Sequence, residues 1–479
     1  MSEAIVVGAG PNGLACAATL AERGVGVTVL EAAAAIGGGA RSSELTLPGL
    51  IHDDCSAVHP FAVEAPALTS LGLERHGLEW AWPEVDLAHP LDDGGGAAMY
   101  HSIDQTAAGL GSAGPAWKRV FAPSSKAFDA LCEDILRPVM HLPRHPLHLA
   151  GFGLRAAAPA TALARALGTP QARALFGGVA AHAFSPLSRP MSSSVGVGLI
   201  CACHRFGWPV ARGGSQAISD ALAAVVLENG GRIETGRPVR SLGELPPVDA
   251  VVLDLMPGAV AEIAGERLPA RVARAYRRYR HGPGAFKVDL AVEGGVPWVD
   301  AAARRAGTVH VIGSFEELVA AEREVCRGRM PARPFVLVGQ QYLADPARSR
   351  GDVHPVWAYA HVPHGYDGDA TEALLDQIER FAPGLRERIV GRHVRSTTEL
   401  ASHNPNHVGG DIVGGANTPL RMVFRPRFAL NPYGTGIPGV YICSAATPPG
   451  AGAHGMGGYN AALAALSRIV EGGGAAAGR

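Results

Sequence analysis

An apolar run, Ile5 to Val7, delivers the chain straight into Gly8, Gly10 and Gly13. A buried strand followed by G-x-G-x-x-G and a helix constrains the fold more than any other feature, because it is the fingerprint of a βαβ unit that cradles a dinucleotide. The first glycine permits the tight turn, the second removes the Cβ that would collide with a pyrophosphate, and the third lets the helix press on the strand. Pro11 and Asn12 complete the turn. Leu14, Ala17, Ala18 and Ala21 then share one helical face, which predicts packing on the sheet with the N-terminal N–H groups directed at phosphates. A second strand, Val25 to Leu30, ends in Glu31, about 20 residues on, where an acid meets a ribose hydroxyl. The alternative is a glycine-rich turn in an ordinary βαβ unit. Strand, turn, helix, strand and acid in this order argue against it.

The next glycines bear on which dinucleotide. Gly37, Gly38 and Gly39 follow Glu31, then Ala40 and Arg41. An NAD site needs nothing after its ribose-binding acid, whereas a second glycine cluster suits a ligand whose pyrophosphate and ribityl chain run past a second backbone segment. That points to FAD. On these residues the chain resembles the two-dinucleotide-binding-domain flavoproteins, and among them the phytoene desaturase-like oxidoreductases, which include carotenoid isomerases and retinol saturases. The family form is Gly-Gly-Arg. Here Gly39 takes the arginine's place and Arg41 comes two residues later. The resemblance implies that Ala32, Gly38, Gly39, Ala40 and Arg41 line the cofactor site.

Two later segments return to the same chemistry. From Gly207 to Leu242, Ser215 is placed to cap a helix whose Ile218, Ala221, Leu222 and Val225 share a face, and Gly230 and Gly231 stop it. A strand around Ile233 and a turn at Arg237 to Val239 follow; the family's valine here gives its backbone to the adenine. Asp249 to Asp254 is another buried strand. Near the C-terminus, Val440 to Cys443 leads into a proline-glycine loop and a helix whose inward face is Ala462, Leu463, Leu466 and Ile469. The family's terminal flavin-contact motif matches Cys443 to Asn460, which assigns Ser444, Gly455 and Met456 to the cofactor. A helix starting near Gly455 to Gly458 would stabilise the negative charge of a reduced flavin.

The fold class expected is therefore α/β: a discontinuous Rossmann-type FAD-binding domain (1–80, 200–260 and 400–479) with a mixed α+β substrate-binding domain (81–199 and 261–399). The segments 285–293 and 335–342 read as strands of the latter. A formal charge of −1 gives no reason to expect a nucleic-acid partner, and seven scattered cysteines are no disulfide framework. Cys201-Ala-Cys203-His204 has no second ligand cluster, so no metal is expected. Glu3 where a signal peptide would be basic, and no apolar window near 20 residues, predict a cytoplasmic protein. Met140 to Leu167 is a candidate lipid-facing helical cap that would give peripheral membrane contact; a solvated helix pair is the alternative. Nothing in the sequence fixes an oligomeric state.

Four side chains are candidates for a catalytic base. Lys287, one of three lysines, starts a strand leading to Pro297-Trp298, similar to the amine-oxidase lysine that holds a water against the flavin. His59 follows Asp53 and Ser56, His454 abuts the terminal helix, and His182 sits in a substrate-domain helix pattern. Each has an ordinary structural alternative. The expected activity is an FAD-dependent dehydrogenation that places a C=C bond in an apolar, isoprenoid- or lipid-like substrate, with oxygen or a quinone as acceptor. The substrate comes from the resemblance alone. Alternatives are a redox-neutral isomerase or saturase, an amine oxidase, and a flavin-loaded interaction protein.

Overall fold

The computed structural model describes residues 2–477, with side chains through Val470. Its first sheet is wholly parallel and runs, edge to edge, Val440–Ile442, Ala250–Leu253, Glu3–Val7, Gly26–Leu30 and Arg232–Glu234. Three distant stretches of chain thus supply one sheet, because parallel neighbours need crossovers and here the crossovers are long. Both faces are covered, as all-parallel strands require. Pro11–Glu22, Gln216–Glu228 and Met456–Ala477 cover one side, and Pro257–Ala264 with Ala270–Arg277 the other.

The helix Pro11–Glu22 departs from expectation: Asn12 through Ala21 are buried all round, beyond the single face Leu14, Ala17, Ala18 and Ala21. It is wedged between the sheet and two other helices. Small residues make this possible; a Cβ on Gly458 would stand 1.7 Å from the Asn12 carbonyl oxygen. The C-terminal helix is likewise rotated, with Ala461, Ala462 and Ala465 innermost while Leu463, Leu466 and Ile469 are only half-buried. Alanines win the inner face because only they fit against so close a neighbour. Ser215 makes no side-chain cap on Gln216–Glu228; its hydroxyl donates to the Ser56 carbonyl instead.

The second sheet is mixed: Ile389–Arg395, Gly284–Glu293, Val353–Val362, Val336–Gly339, Ala306–Val311, Val85–Pro90 and Gly96–Met99 in spatial order. All its pairings are antiparallel except that of Ala306–Val311 with Val85–Pro90. One face carries a core closed by Thr371–Phe381. A layer of helices from Ile103 to Phe206 packs on this sheet and shares a continuous core with the helices of the first. Among the described residues no helix is long and apolar enough to cross a membrane.

Candidate functional site

Where the glycine turn leaves the first sheet, it forms one wall of a cavity of about 1000 Å³. Gly8 adopts φ +98°, and its N–H donates to the Leu30 carbonyl at 2.8 Å. Gly10 precedes the helix and gives it no side-chain cap; Pro11 has no N–H and Gly13 N–H donates to Asp254, so the first turn leaves the Asn12 N–H for a ligand. The second glycine cluster folds against the first: Gly37 N–H donates to the Ala9 carbonyl, and a Cβ on Gly38 would lie 2.9 Å from Gly10 Cα. Glu31 accepts from the backbone N–H groups of Ala9 (2.6 Å) and Ala33 (2.8 Å), which fixes its carboxylate at the cavity edge. Arg41 reaches the cavity despite its displaced position; its guanidinium donates to the carbonyls of Gly38 (3.0 Å) and His403 (2.7 Å). Gly8, Gly10, Pro11, Asn12, Glu31, Ala32, Gly38, Gly39, Arg41 and Val239 all line the space.

Five expected contacts do not. Gly13 lies inside the helix, where its space is taken by the Gly8 carbonyl, and Ala40 and Ser444 are buried behind the wall. Gly455 packs on Ala15, and Met456 points into the core. The C-terminal wall is built instead from Ala445 and Pro449 to His454. Gly457 and Gly458 form no open platform, because Asn12 fills the space against them.

The same cavity continues past Cys55 and Phe61 into an apolar chamber bounded by Leu149, Phe152, Phe184, Met191, Leu199, Leu337, Trp357, Tyr359 and Met422. Of the four expected bases, two line it. His182 shares a hydrogen bond between its Nε2 and His310 Nε2 at 3.0 Å, and burial pushes its pKa down to about 3. His454 accepts from Met456 N–H through Nδ1 at 3.2 Å, which places its ring proton on Nε2, and burial lowers its pKa to about 4. Both rings are therefore neutral across the physiological range. His59 is outside the cavity, buried with Nε2 against the Ser215 hydroxyl at 2.8 Å. Lys287 is outside it too. Its ammonium pairs with Asp289 beneath the Trp357 ring, 6.0 Å from the ring centroid. Burial would raise Asp289, but Lys287, His393 and His52 outweigh it and hold the carboxyl well below its usual range.

Three side chains at the site, Asp254, Asn406 and Arg425, have no site role in the sequence reading. Asp254, just past the strand Ala250–Leu253, accepts from Gly13 N–H at 2.9 Å, and its Oδ2 would be 2.7 Å from a Cβ on Gly10. Burial, reinforced by Glu31, raises its pKa to about 7. The strand reading had reached Asp254 without connecting it to the turn, since 241 residues separate it from Gly13. Asn406 locks the same corner, donating to the Asp254 carbonyl and accepting from Met256 N–H. Arg425 lines the far wall. No motif marks it.

A sequence model of the NAD(P)-binding Rossmann-like domain matches residues 6–71. Across 96% of its length the chain aligns at 23% identity with pyridine nucleotide-disulfide oxidoreductase domain-containing protein 2 of Rattus norvegicus, covering 92% of that protein. The Mus musculus protein of that name aligns at the same identity and coverage. Among solved structures, putrescine oxidase bound to putrescine is similar over 98% of this chain and 99% of its own, at 17% identity and a TM-score of 0.63. Cyclohexylamine oxidase from Brevibacterium oxydans is similar over the same shares at 18% identity and a TM-score of 0.57. At such identities the structural likeness is one of fold: a Rossmann-type dinucleotide-binding domain joined to a mixed-sheet domain, shared with oxidoreductases along nearly the whole chain.

Proposed function

We propose that the chain is an FAD-dependent oxidoreductase that removes hydrogens from a largely apolar small molecule and leaves a C=C bond. One observation carries this: the glycine cradle with Glu31 and Val239 opens, without a barrier, into the apolar chamber that holds His182. A dinucleotide long enough to fill the first part would present its far end to the second. The residues fit such a group. Gly10 and Gly38 leave bare backbone where a side chain would stand, and the uncapped helix start offers the Asn12 N–H to phosphates. Bound flavin supplies hydride acceptance. The chain's own part is to bind the substrate among Phe152, Phe184, Leu199 and Trp357 and to exclude water from it. His182, which lines the chamber and is kept neutral at pH 7 by burial, is the proposed acceptor of the proton that leaves with the hydride, through the ring nitrogen that His310 does not occupy.

Amine oxidation is the weaker alternative, because Lys287 is engaged with Asp289 and does not line the chamber. A reduced-flavin isomerase or saturase would use the same chamber. Oxygen or a quinone is the proposed acceptor. Peripheral contact with an apolar surface is proposed through Leu142, Leu147 and Leu154, which are 92%, 87% and 79% exposed on the segment that walls the chamber. The test is the visible spectrum of the purified protein, followed by anaerobic bleaching with polyenes, terpenoid lipids, apolar acids and amines. A flavin spectrum bleached by an apolar substrate, with a product lighter by two hydrogens, is the expected result. Absence of flavin refutes the proposal, and a product of unchanged mass replaces the desaturase with the isomerase.

A further inference from the structure

Three arginines are buried among the described residues, and two of them obey the rule that buried charges are paired. Arg348 sits between Asp53 and Asp345, and Arg395 pairs with Asp54. Arg425 does not conform. It is 5% exposed, lines the apolar chamber, and makes no ion pair with any described carboxylate. Its guanidinium donates only to neutral oxygens: Nε to the Arg421 carbonyl (3.3 Å), Nη1 to the Ala445 carbonyl (3.3 Å) and Nη2 to Asn417 Oδ1 (2.7 Å). Of its five N–H groups, one on each terminal nitrogen is left over. Gly450 stands beside Nη1, where a Cβ would be 2.7 Å away, so the chain keeps bulk off this edge. Asn417 in turn donates to the Ala183 carbonyl at 2.9 Å, tying Arg425 to the segment that carries His182.

A desolvated cation with two free donors, in a pocket whose buried acids Asp411 and Asp134 are held by backbone N–H groups elsewhere, lacks a counter-ion of forked geometry. Resting on the function proposed above, we infer that Arg425 receives a carboxylate of the substrate, so that the substrate class is an apolar body bearing one acid group. The chamber holds the body; Arg425 fixes which end enters and brings the adjoining carbons towards His182. A cationic head is the wrong partner for this wall.

Calorimetric titration of the flavin-loaded protein with decanoate and 4-phenylbutyrate, each against its own alcohol, tests the assignment. Carboxylates should bind roughly 10- to 100-fold more tightly than the alcohols. Arg425→Gln should abolish that preference while leaving alcohol affinity within about twofold, and Arg425→Lys should restore part of it. If neither acid outbinds its alcohol in the wild-type protein, the inference is overturned, and that comparison needs no variant to fold. It is overturned equally if Arg425→Gln weakens acid and alcohol alike. It is also overturned if that variant keeps the preference but loses flavin or shifts its absorption, which would make the cofactor the counter-ion. Should the purified protein carry no flavin, the proposed reaction fails, while the acid preference is still read on the apoprotein.

Discussion

Asp254 makes a pH prediction whose size follows from its position. Its ordinary carboxyl pKa of 3.8 is raised to about 7 by burial, with Glu31 adding to the effect against the Gly13 hydrogen bond. The folded chain therefore keeps a proton that the unfolded chain releases near 3.8, so stability from this group is complete below that pH and is lost as pH rises to 7. A gap of about three pH units corresponds to about 4 kcal/mol over the whole window, of which roughly 2–3 kcal/mol is lost between pH 5 and pH 8. Asp254→Asn keeps an oxygen for the Gly13 N–H and removes the titration. Urea unfolding of both proteins, without cofactor, at pH 5 and pH 8 isolates the term, because every other group titrates in both. The variant's advantage should be larger at pH 8 by roughly 2–3 kcal/mol. A difference that is the same at both pH values, or smaller at pH 8, refutes the reasoning. Phosphates against the same carboxyl would hold its proton more firmly still, so FAD affinity should fall by up to about tenfold per unit above the carboxyl's pKa, and the variant should flatten that slope.

Gly458→Ala should destabilise the fold by about 3 kcal/mol or more in chemical denaturation, since its methyl would stand 1.7 Å from a backbone oxygen that cannot yield; Gly258→Ala, in a helix with nothing within 4 Å, should stabilise by about 0.5–1 kcal/mol. The reverse order would mean that the two helices are not packed this closely. Lys287→Met strands Asp289 in the core and should cost about 3–5 kcal/mol of stability while leaving the pH profile of flavin reduction unmoved. Unchanged stability with lost reduction would return the lysine to the chemistry. Replacing Leu142, Leu147 and Leu154 together by serine should reduce co-sedimentation with lipid vesicles severalfold without altering the thermal transition, and equal sedimentation would remove the peripheral contact.

What the sequence made legible is contiguous. Strand, turn, helix, strand and acid lie within the first 31 residues, each in contact with a neighbour in the chain, and every step has a local physical cause. The three-part origin of the first sheet was legible for the same reason, as each part carries its own apolar strand. The helix faces were less so, because periodicity reports that a side chain is apolar and not how many partners surround it. Pro11–Glu22 is enclosed on all sides only because two helices from residues 216 and 456 onwards arrive beside it. Gly455 and Met456, expected at the cofactor, lie behind the cavity wall for a similar reason. Glycine permits a close approach, and here another helix makes it.

The charge inventory of the chamber decides between chemistries that the fold alone leaves equal. Four cationic side chains are buried among the described residues: Lys287, Arg348, Arg395 and Arg425. Lys287 is neutralised by Asp289, Arg348 by Asp53 and Asp345, and Arg395 by Asp54, so none of the three lends net charge to the cavity. Glu31, also at the cavity, is held by two backbone amides beside the glycine turn, at the dinucleotide end. His182 and His454 are neutral because burial disfavours their charged forms. Asp411 and Asp134 also line the cavity, but their carboxylates are taken up by the N–H groups of Gly282 and Val413 and by those of Arg144 and His145, which leaves Arg425 as the buried cation there without a carboxylate partner. An ammonium entering there loses its hydration and meets a like charge, whereas a carboxylate replaces its hydration with a forked pair of N–H donors. The lysine that invited an amine-oxidase comparison is thus balanced, and on the proposed assignment the arginine that no motif marked would select against amines.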